Sequence, residues 1–347
     1  MTKRKLRVLV LMHEDLVPPA DVSGLSPGEM APFKTEYDVL WALGELGHEA
    51  RALGVHDDLS VLRDAIGEFR PHVTFNVLEE FHGVTMYGQA VISYLELMRT
   101  AYTGCNPRGL MLAHDKLLTK KILAYHRLPT PRAAVFPLGM KVRPSKKLSY
   151  PLIVKSTFED ASLGISQASV VHDEERLVER VHFMHERFGT DALAEEFIEG
   201  RELYVGLLGN HRVQSLPIWE MKFNKWSEGA PRIATEKVKW DYKYQLEHDI
   251  QTEAADALPP GVERKIVHIA RQVWKVLGLS GYARLDLRLT EDGQVYVIEA
   301  NANPDLAHDE DFAKSAAAAG LAYPQLIERI LKLGLSWRPK WKDVEAG

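Results

Sequence analysis

Between Tyr282 and Asn301 the sequence runs YARLDLRLTEDGQVYVIEAN, two alternating apolar–polar stretches around Asp292-Gly293. An Asp-Gly pair in that setting is the strongest local signal for a β-hairpin, because both residues accept the positive φ of a tight turn. With Asp292 and Gly293 as the loop, Glu291 pairs with Gln294. Counting outward sets Asp286 opposite Glu299 and Arg284 opposite Asn301. Leu285, Leu287 and Leu289 then share the other face and require a hydrophobic layer beneath them. Two facing carboxylates repel, so removing one should relieve the apo protein. On spacing alone two readings stand. Either a cation sits between the acids, or Arg284 and Arg288 neutralise them as a charge ladder. Oxygen ligands of this kind suit Mg²⁺, and Asn301 adds a neutral oxygen one pleat on.

Upstream, the first third of the chain alternates strand and helix. Residues 6–12, 50–55 and 72–78 read as strands, and 35–47, 59–69 and 85–98 as helices. This alternation predicts a parallel sheet between helices. The segment 15–33, with Pro18, Pro19, Gly24, Pro27, Gly28 and Pro32, reads as a long loop of the kind that often carries function. From His114 the pattern becomes α+β. A basic helix over 115–126 precedes strands at 133–136, 151–155, 193–198 and 202–208, with a helix at 173–188. A charged loop (224–244), a helix (262–277), the hairpin and a helix-rich tail follow.

Composition removes several function classes. The net charge is −5, so no basic excess exists to neutralise a nucleic-acid backbone. Cys105 is the one cysteine, which excludes an intrachain disulfide and a cysteine metal cluster. No apolar run approaches the ~20 residues that span a bilayer, and the short run at 6–12 ends in His13-Glu14-Asp15 without a cleavage site. A soluble, cytoplasmic protein is expected, with neither nucleic acid nor membrane as a partner. His182 and His185 lack a third ligand and suit a solvated helix face. Trp219, Trp226, Trp240, Tyr242 and Tyr244 suit substrate-loop or core packing, and neither a Gly-x-Ser-x-Gly elbow nor a Walker loop is present.

Arg284-x-Asp286 followed by Glu299-Ala300-Asn301-x-x-Pro304 resembles the metal-binding end of the ATP-grasp ligases, nearest the D-alanine–D-alanine ligase branch. The likeness extends through His114-Asp115-Lys116, Ile153-Val154-Lys155, Ser162-Leu163-Gly164-Ile165, the Glu195–Glu202 stretch and Lys237-x-Lys239-Trp240, in that order. It implies an α/β ATP-grasp fold of three units: a Rossmann-like pre-ATP-grasp domain (1–113), a central domain (114–215) and a C-terminal domain (216–347). It also implies ATP, with Mg²⁺ or Mn²⁺ as the metal. By position, Lys116 and Lys155 would reach the α- and β-phosphates, and the backbone at Ser162 and Gly164 would cradle the triphosphate. Glu195 would bind the adenine amine, Phe197 and Ile198 the ring edge, and Glu202 the ribose. Lys239 would stand near the γ-phosphate, Asp286, Glu299 and Asn301 would hold two metal ions, and Arg284 would stabilise the transferred phosphate. The implied activity is joining a small-molecule carboxylate to an amine through an acylphosphate, in an enzyme that is often a dimer through its N-terminal domain. The alternatives are a non-catalytic ATP-binding sensor or scaffold, and a true D-alanine–D-alanine ligase.

The match to that branch fails at the acceptor end. Where the branch places two serines on the second D-alanine, this chain has Ala161 and Glu310, the latter within His308-Asp309-Glu310-Asp311. The early Gly-Gly-x-Ser-x-Glu pattern is replaced by Met12-His13-Glu14-Asp15, and Trp240 stands for a tyrosine that covers the substrate. With Asp305, Glu310 makes this end acidic. A carboxylate there cannot donate to a substrate carboxylate, so a cationic amine is the expected acceptor.

Overall fold

The first apolar run folds as β1 (Arg7–His13), flanked in parallel by β2 (Glu49–Val55) and β3 (Val73–Asn76). The computed structural model describes residues 5–157, 164–227 and 229–339. Segment 15–33, expected as loop, contains a short helix, α1 (Pro27–Met30), closed by a Ser26–Glu29 capping box. A parallel sheet must be covered on both faces. Val8, Val10 and Met12 pack with Val39 and Leu43 of α2 (Lys34–Glu45). Leu9 and Leu11 join Leu62 of α3 (Leu59–Phe69) and Ile92 and Leu95 of α4 (Gly88–Leu97). Next, Asn106 caps α5 (Pro107–His114) and Asp115 caps α6 (Lys116–Tyr125), which sets where Lys116 begins its helix.

The central sheet has the order β4 (Ala133–Phe136), β7 (Ala192–Glu196), β5 (Leu152–Ser156), β6 (Val170–Val171). Helix α7 (Glu174–Phe188) buries Leu177, Val181 and Met184 against it. The third sheet comprises β8 (Arg201–Gly209), β9 (Val213–Phe223), β10 (Ile250–Ala254), β11 (Gly281–Leu289) and β12 (Val295–Asn301), in the order β10-β9-β8-β11-β12. Helices α8 (Glu236–Trp240) and α9 (Tyr242–His248) occupy the segment expected as a charged loop. α10 (Val262–Leu277) turns Ile266, Ile269, Ala270, Val273 and Leu277 into the core. α11 (Asp311–Ala318) and α12 (Tyr323–Ser336) close the chain. No helix of the described residues is long and apolar enough to cross a membrane.

Two expectations change. A domain boundary at 215/216 falls inside β9, because β8 pairs with both β9 and β11 and belongs to the third sheet. The chain leaves the central sheet between β7 and β8. α12 also returns to the first sheet, packing Leu326, Ile327 and Ile330 with Val8 and Val10. Local periodicity does not reveal such long-range pairings.

The hairpin reaches its expected pairing by a different route. The Thr290 N–H donates to Gln294 O at 2.9 Å and the Gly293 N–H to Thr290 O at 3.0 Å, so residues 291–293 make the loop, with Gly293 at φ 77°. Leu289 pairs with Val295, one residue off the two-residue register. A bulge between the Leu287–Val297 and Asp286–Glu299 pairs absorbs the difference and restores Asp286 opposite Glu299 and Arg284 opposite Asn301.

β11 starts at a close crossing. Gly281 has φ +72°, and a Cβ there would lie 2.3 Å from the Gly104 carbonyl oxygen. Gly281→Ala is therefore expected to destabilise the protein by roughly 2–4 kcal/mol, read as a lower urea midpoint with an unchanged slope.

Candidate active site

Alternation along β11 places Arg284, Asp286 and Arg288 on one face and buries Leu285, Leu287 and Leu289 on the other. On the same face, β8 sets Tyr204 opposite Asp286 and Glu202 opposite Arg288, while β12 sets Glu299 and Asn301 across the other edge. Each facing acid already has a cation. Arg284 grips Asp286 with two prongs, Nε to Oδ1 at 2.8 Å and Nη2 to Oδ2 at 3.0 Å, and Nη1 reaches Asp311 at 3.2 Å. Lys116 Nζ lies 3.2 Å from Glu299. Arg288 is no rung of a surface ladder. It is buried, donates to Glu202 at 2.6 Å and also bonds the carbonyls of Gly200 and Arg232.

Burial by itself raises both carboxyl pKa values. At Glu299, Lys116, Lys155 and Lys239 overcome it and hold the group well below the usual range. At Asp286 burial prevails over Arg284 and Lys239, and the pKa is raised. Asn301 Oδ1 accepts the Asn303 N–H at 2.9 Å, which fixes the carboxamide. Two carboxylates and a carboxamide oxygen fit a hard divalent cation that completes its shell with phosphate and water oxygens. No cluster of three His, Cys, Asp or Glu suited to a metal occurs among the described residues, so the protein alone does not build a full cage.

A second constellation sits on α6. Lys116 and Lys120 share its buried face. Lys120 Nζ and Lys155 Nζ each stand 2.6 Å from a different oxygen of Glu195, which is itself buried. Both of its oxygens are engaged by lysines, so in this structure Glu195 compensates two buried cations. Burial would raise its pKa, yet Lys120 and Lys155 lower it. The expected set omits Lys120. Its spacing of one helical turn from Lys116 was the available signal.

Lys116, Lys155, Glu195, Phe197, Ile198, Glu202, Lys239, Asp286 and Glu299 line one cleft, which Ile153, Ile165, Ile233 and Ile298 also line. The cleft thus joins most of the residues proposed for nucleotide, metal and phosphate. Glu202 accepts from Arg288 and from the Tyr204 hydroxyl at 2.8 Å, and the Phe197 N–H donates to Pro151 O at 2.9 Å. At the rim the Gly164 N–H donates to Glu236 at 2.9 Å and the Glu236 N–H to Ile165 O at 3.0 Å. The Gly164 amide, expected to cradle phosphate, is therefore taken by the segment that closes over the cleft from the third sheet. Ser162 and Ala161 lie outside the described residues, as does the Trp240 side chain.

Beyond Arg284 the acceptor end continues as acids. Asp305 accepts from Thr35 Oγ1 at 2.5 Å, and Asp38 accepts from the His308 N–H at 2.8 Å. Lys34 pairs with Asp38 at 2.7 Å and Asp309 at 3.6 Å. Glu310 reaches the surface, yet partial enclosure, then Asp305 and Asp311, push its pKa up to about 7. Asp305 and Glu310 are not among the residues lining the cleft; Asp311, next to Glu310 in the chain, binds Arg284, which grips Asp286 of the lining.

Comparison with known proteins places these features among relatives. A family model described as "D-ala D-ala ligase C-terminus" matches residues 135–332. "D-alanine--D-alanine ligase" of Syntrophotalea carbinolica is 31% identical over 315 residues, covering 89% of this chain and 93% of that protein. "Uncharacterized protein y4sG" of Sinorhizobium fredii is 30% identical over 84% of this chain and 85% of its own length. Among solved structures, the D-alanine–D-alanine ligase from Bacillus anthracis complexed with ATP superposes with a TM-score of 0.74 at 22% identity, covering 99% of this chain and 100% of that one. The VanG D-Ala:D-Ser ligase from Enterococcus faecalis gives 0.68 at 16% identity over 95% of this chain and 100% of that one.

Proposed function

Because this chain belongs to the D-alanine–D-alanine ligase family of ATP-grasp enzymes, we propose that it joins a carboxylate to an amine at the expense of ATP, and that its acceptor is a cationic amine rather than D-alanine. The observation that carries the reading is the single cleft uniting Lys116, Lys155, Lys239, Asp286 and Glu299, with Arg284 beside it. A protein that only sensed nucleotide would have no use for the facing carboxylates.

The chain's own residues divide the work. The lysines bind phosphate oxygens as point charges. Phe197 and Ile198 give the base an apolar wall, and Glu202, oriented by Arg288, meets the ribose. Asp286, Glu299 and Asn301 would hold the divalent cation, which offsets charge on the transferring phosphoryl group. Arg284, held by Asp286 and Asp311, is positioned at the end of the cleft where the donor carboxylate attacks the γ-phosphorus. That attack forms an acylphosphate and releases ADP. The amine then attacks the acyl carbon, phosphate leaves and an amide results. The intermediate hydrolyses in water, so the Gly164–Glu236 contact has a purpose in closing the rim.

The acids at the far end support the cationic acceptor, since a second carboxylate next to Asp305 and Glu310 would be repelled. The 31% identity to a D-alanine–D-alanine ligase favours that activity as the second reading. Two measurements separate them. ATP with Mg²⁺ is expected to raise the melting temperature, because a ligand at 100 times its Kd stabilises by about 2.7 kcal/mol; no shift with or without Mg²⁺ removes the nucleotide assignment. ADP release is expected with an amino acid plus amines and not with D-alanine alone. Efficient synthesis of D-alanyl-D-alanine establishes the second reading.

A further inference from the structure

Glu36 lies on α2 at 4% exposure, and no cation pairs with it among the described residues. Its charged neighbours are Glu79 and Asp305, both acids. Among the described residues Asp305 and Glu310 form no ion pair, although Lys314 and Arg284 act on Glu310 from a distance and Asp305 accepts from Thr35 and the Ala307 N–H; Lys34 is committed to Asp38 and Asp309. Independently, the Tyr323 hydroxyl is buried without a hydrogen-bond partner, and its charged neighbours are Asp38, Asp305 and Glu36. A buried phenol oxygen beside a buried carboxylate that no cation pairs is costly unless a donor-rich cation completes them. An ammonium has three donors and no acceptor, and matches that set.

Resting on the ligase reading above, we propose that Glu36, Asp305, Glu310 and the Tyr323 hydroxyl form a subsite for a second, non-reacting ammonium of the acceptor, so that the acceptor is a diamine or a basic amino acid. The attacking nitrogen cannot be the one held here. An amine paired with carboxylates stays protonated and has no lone pair to offer. The reacting amine must lie nearer Arg284, and the charged tail extends toward α2. Burial, then Glu79 and Asp305, push the Glu36 pKa up to about 7, which is consistent with an acid lacking its cation.

The test uses the full chain with an amino-acid donor held constant and three acceptors: 1,4-diaminobutane, butylamine and 4-aminobutan-1-ol. The expected KM for 1,4-diaminobutane is about tenfold or more below that for either monoamine, as one charge-assisted contact predicts. Glu36→Gln is expected to raise the diamine KM about tenfold, with the KM for ATP and the monoamine kinetics unmoved. Tyr323→Phe is expected to raise it a few-fold. Thermal melts confirm that both variants fold. Equal KM values for mono- and diamine, or an effect of Glu36→Gln on the donor instead, overturn the subsite. If no acceptor gives ADP release, calorimetry decides. Diamine binding that Glu36→Gln abolishes keeps the subsite while removing the ligase reading, and absence of binding to the unaltered protein removes the subsite.

Discussion

Asp286→Asn and Glu299→Gln are each expected to lower kcat by roughly a thousandfold or more while the protein stays folded. Phosphoryl transfer gains its rate from positioned charge, and losing one such group typically costs about two to three orders of magnitude or more. Both acids stand on strands of one sheet, where neighbours hold their register. Loss of activity should therefore come with a weaker Mg²⁺ dependence of ATP binding, measured by thermal shift. Stability should move opposite to the sequence-based expectation. Facing acids suggest that removing one relieves repulsion, but Asp286 is clamped by Arg284 and Glu299 by Lys116. Each substitution therefore leaves a buried cation less compensated and should lower stability by about 1–3 kcal/mol. Full activity in both variants would show that the metal and phosphate roles are misplaced.

Glu195→Gln carries the largest expected stability change. Glu195 is the carboxylate between Lys120 and Lys155, and both ammonium groups are nearly inaccessible to water. Removing one partner of a buried ionic cluster costs about 3–5 kcal/mol, because the remaining charge is left without compensation. The pH dependence has a definite sign. In the unaltered protein the Glu195 pKa is lowered, by the two lysines against the opposing effect of burial. Its contribution is present above the unfolded carboxyl range and is lost as pH falls through the lowered value. The Lys120 pKa is lowered too, here by burial against the pull of Glu195, so its slope with pH has the same sign but lies at higher pH. Without Glu195 that depression deepens, the unfolded state binds more protons, and stability rises with pH from neutrality upward. Urea unfolding at three pH values between about 6 and 9 tests this. Lys120→Met combined with Glu195→Gln should recover part of the loss, since two of the three charges then leave together. A flat pH profile in Glu195→Gln contradicts the lysine-compensation role.

The hairpin shows how a sequence argument can reach the right pairing through the wrong turn. A two-residue loop and a straight ladder place Asp286 opposite Glu299. The protein uses a three-residue loop and a bulge, and the two departures cancel. Alternation of side chains survives both, because the faces of a strand are set by its period of two. The sequence alone determined the strand and helix alternation, the oxygen-rich end of β11 and β12, and the lysine, glutamate and arginine positions that mark the family. These are local patterns or fixed spacings, and they persist whatever the chain does elsewhere. Tertiary structure decided the rest. Only the pairing of β8 with β11 moves the domain boundary. Only the packing of α6 against the central sheet reveals Lys120 on Glu195, and only the meeting of α2, the segment after β12 and α12 gathers Glu36, Asp305 and Tyr323. The physical reason is that compensation of buried charge is a property of three-dimensional neighbours, and residues 36, 305 and 323 acquire each other as neighbours only after the chain has closed.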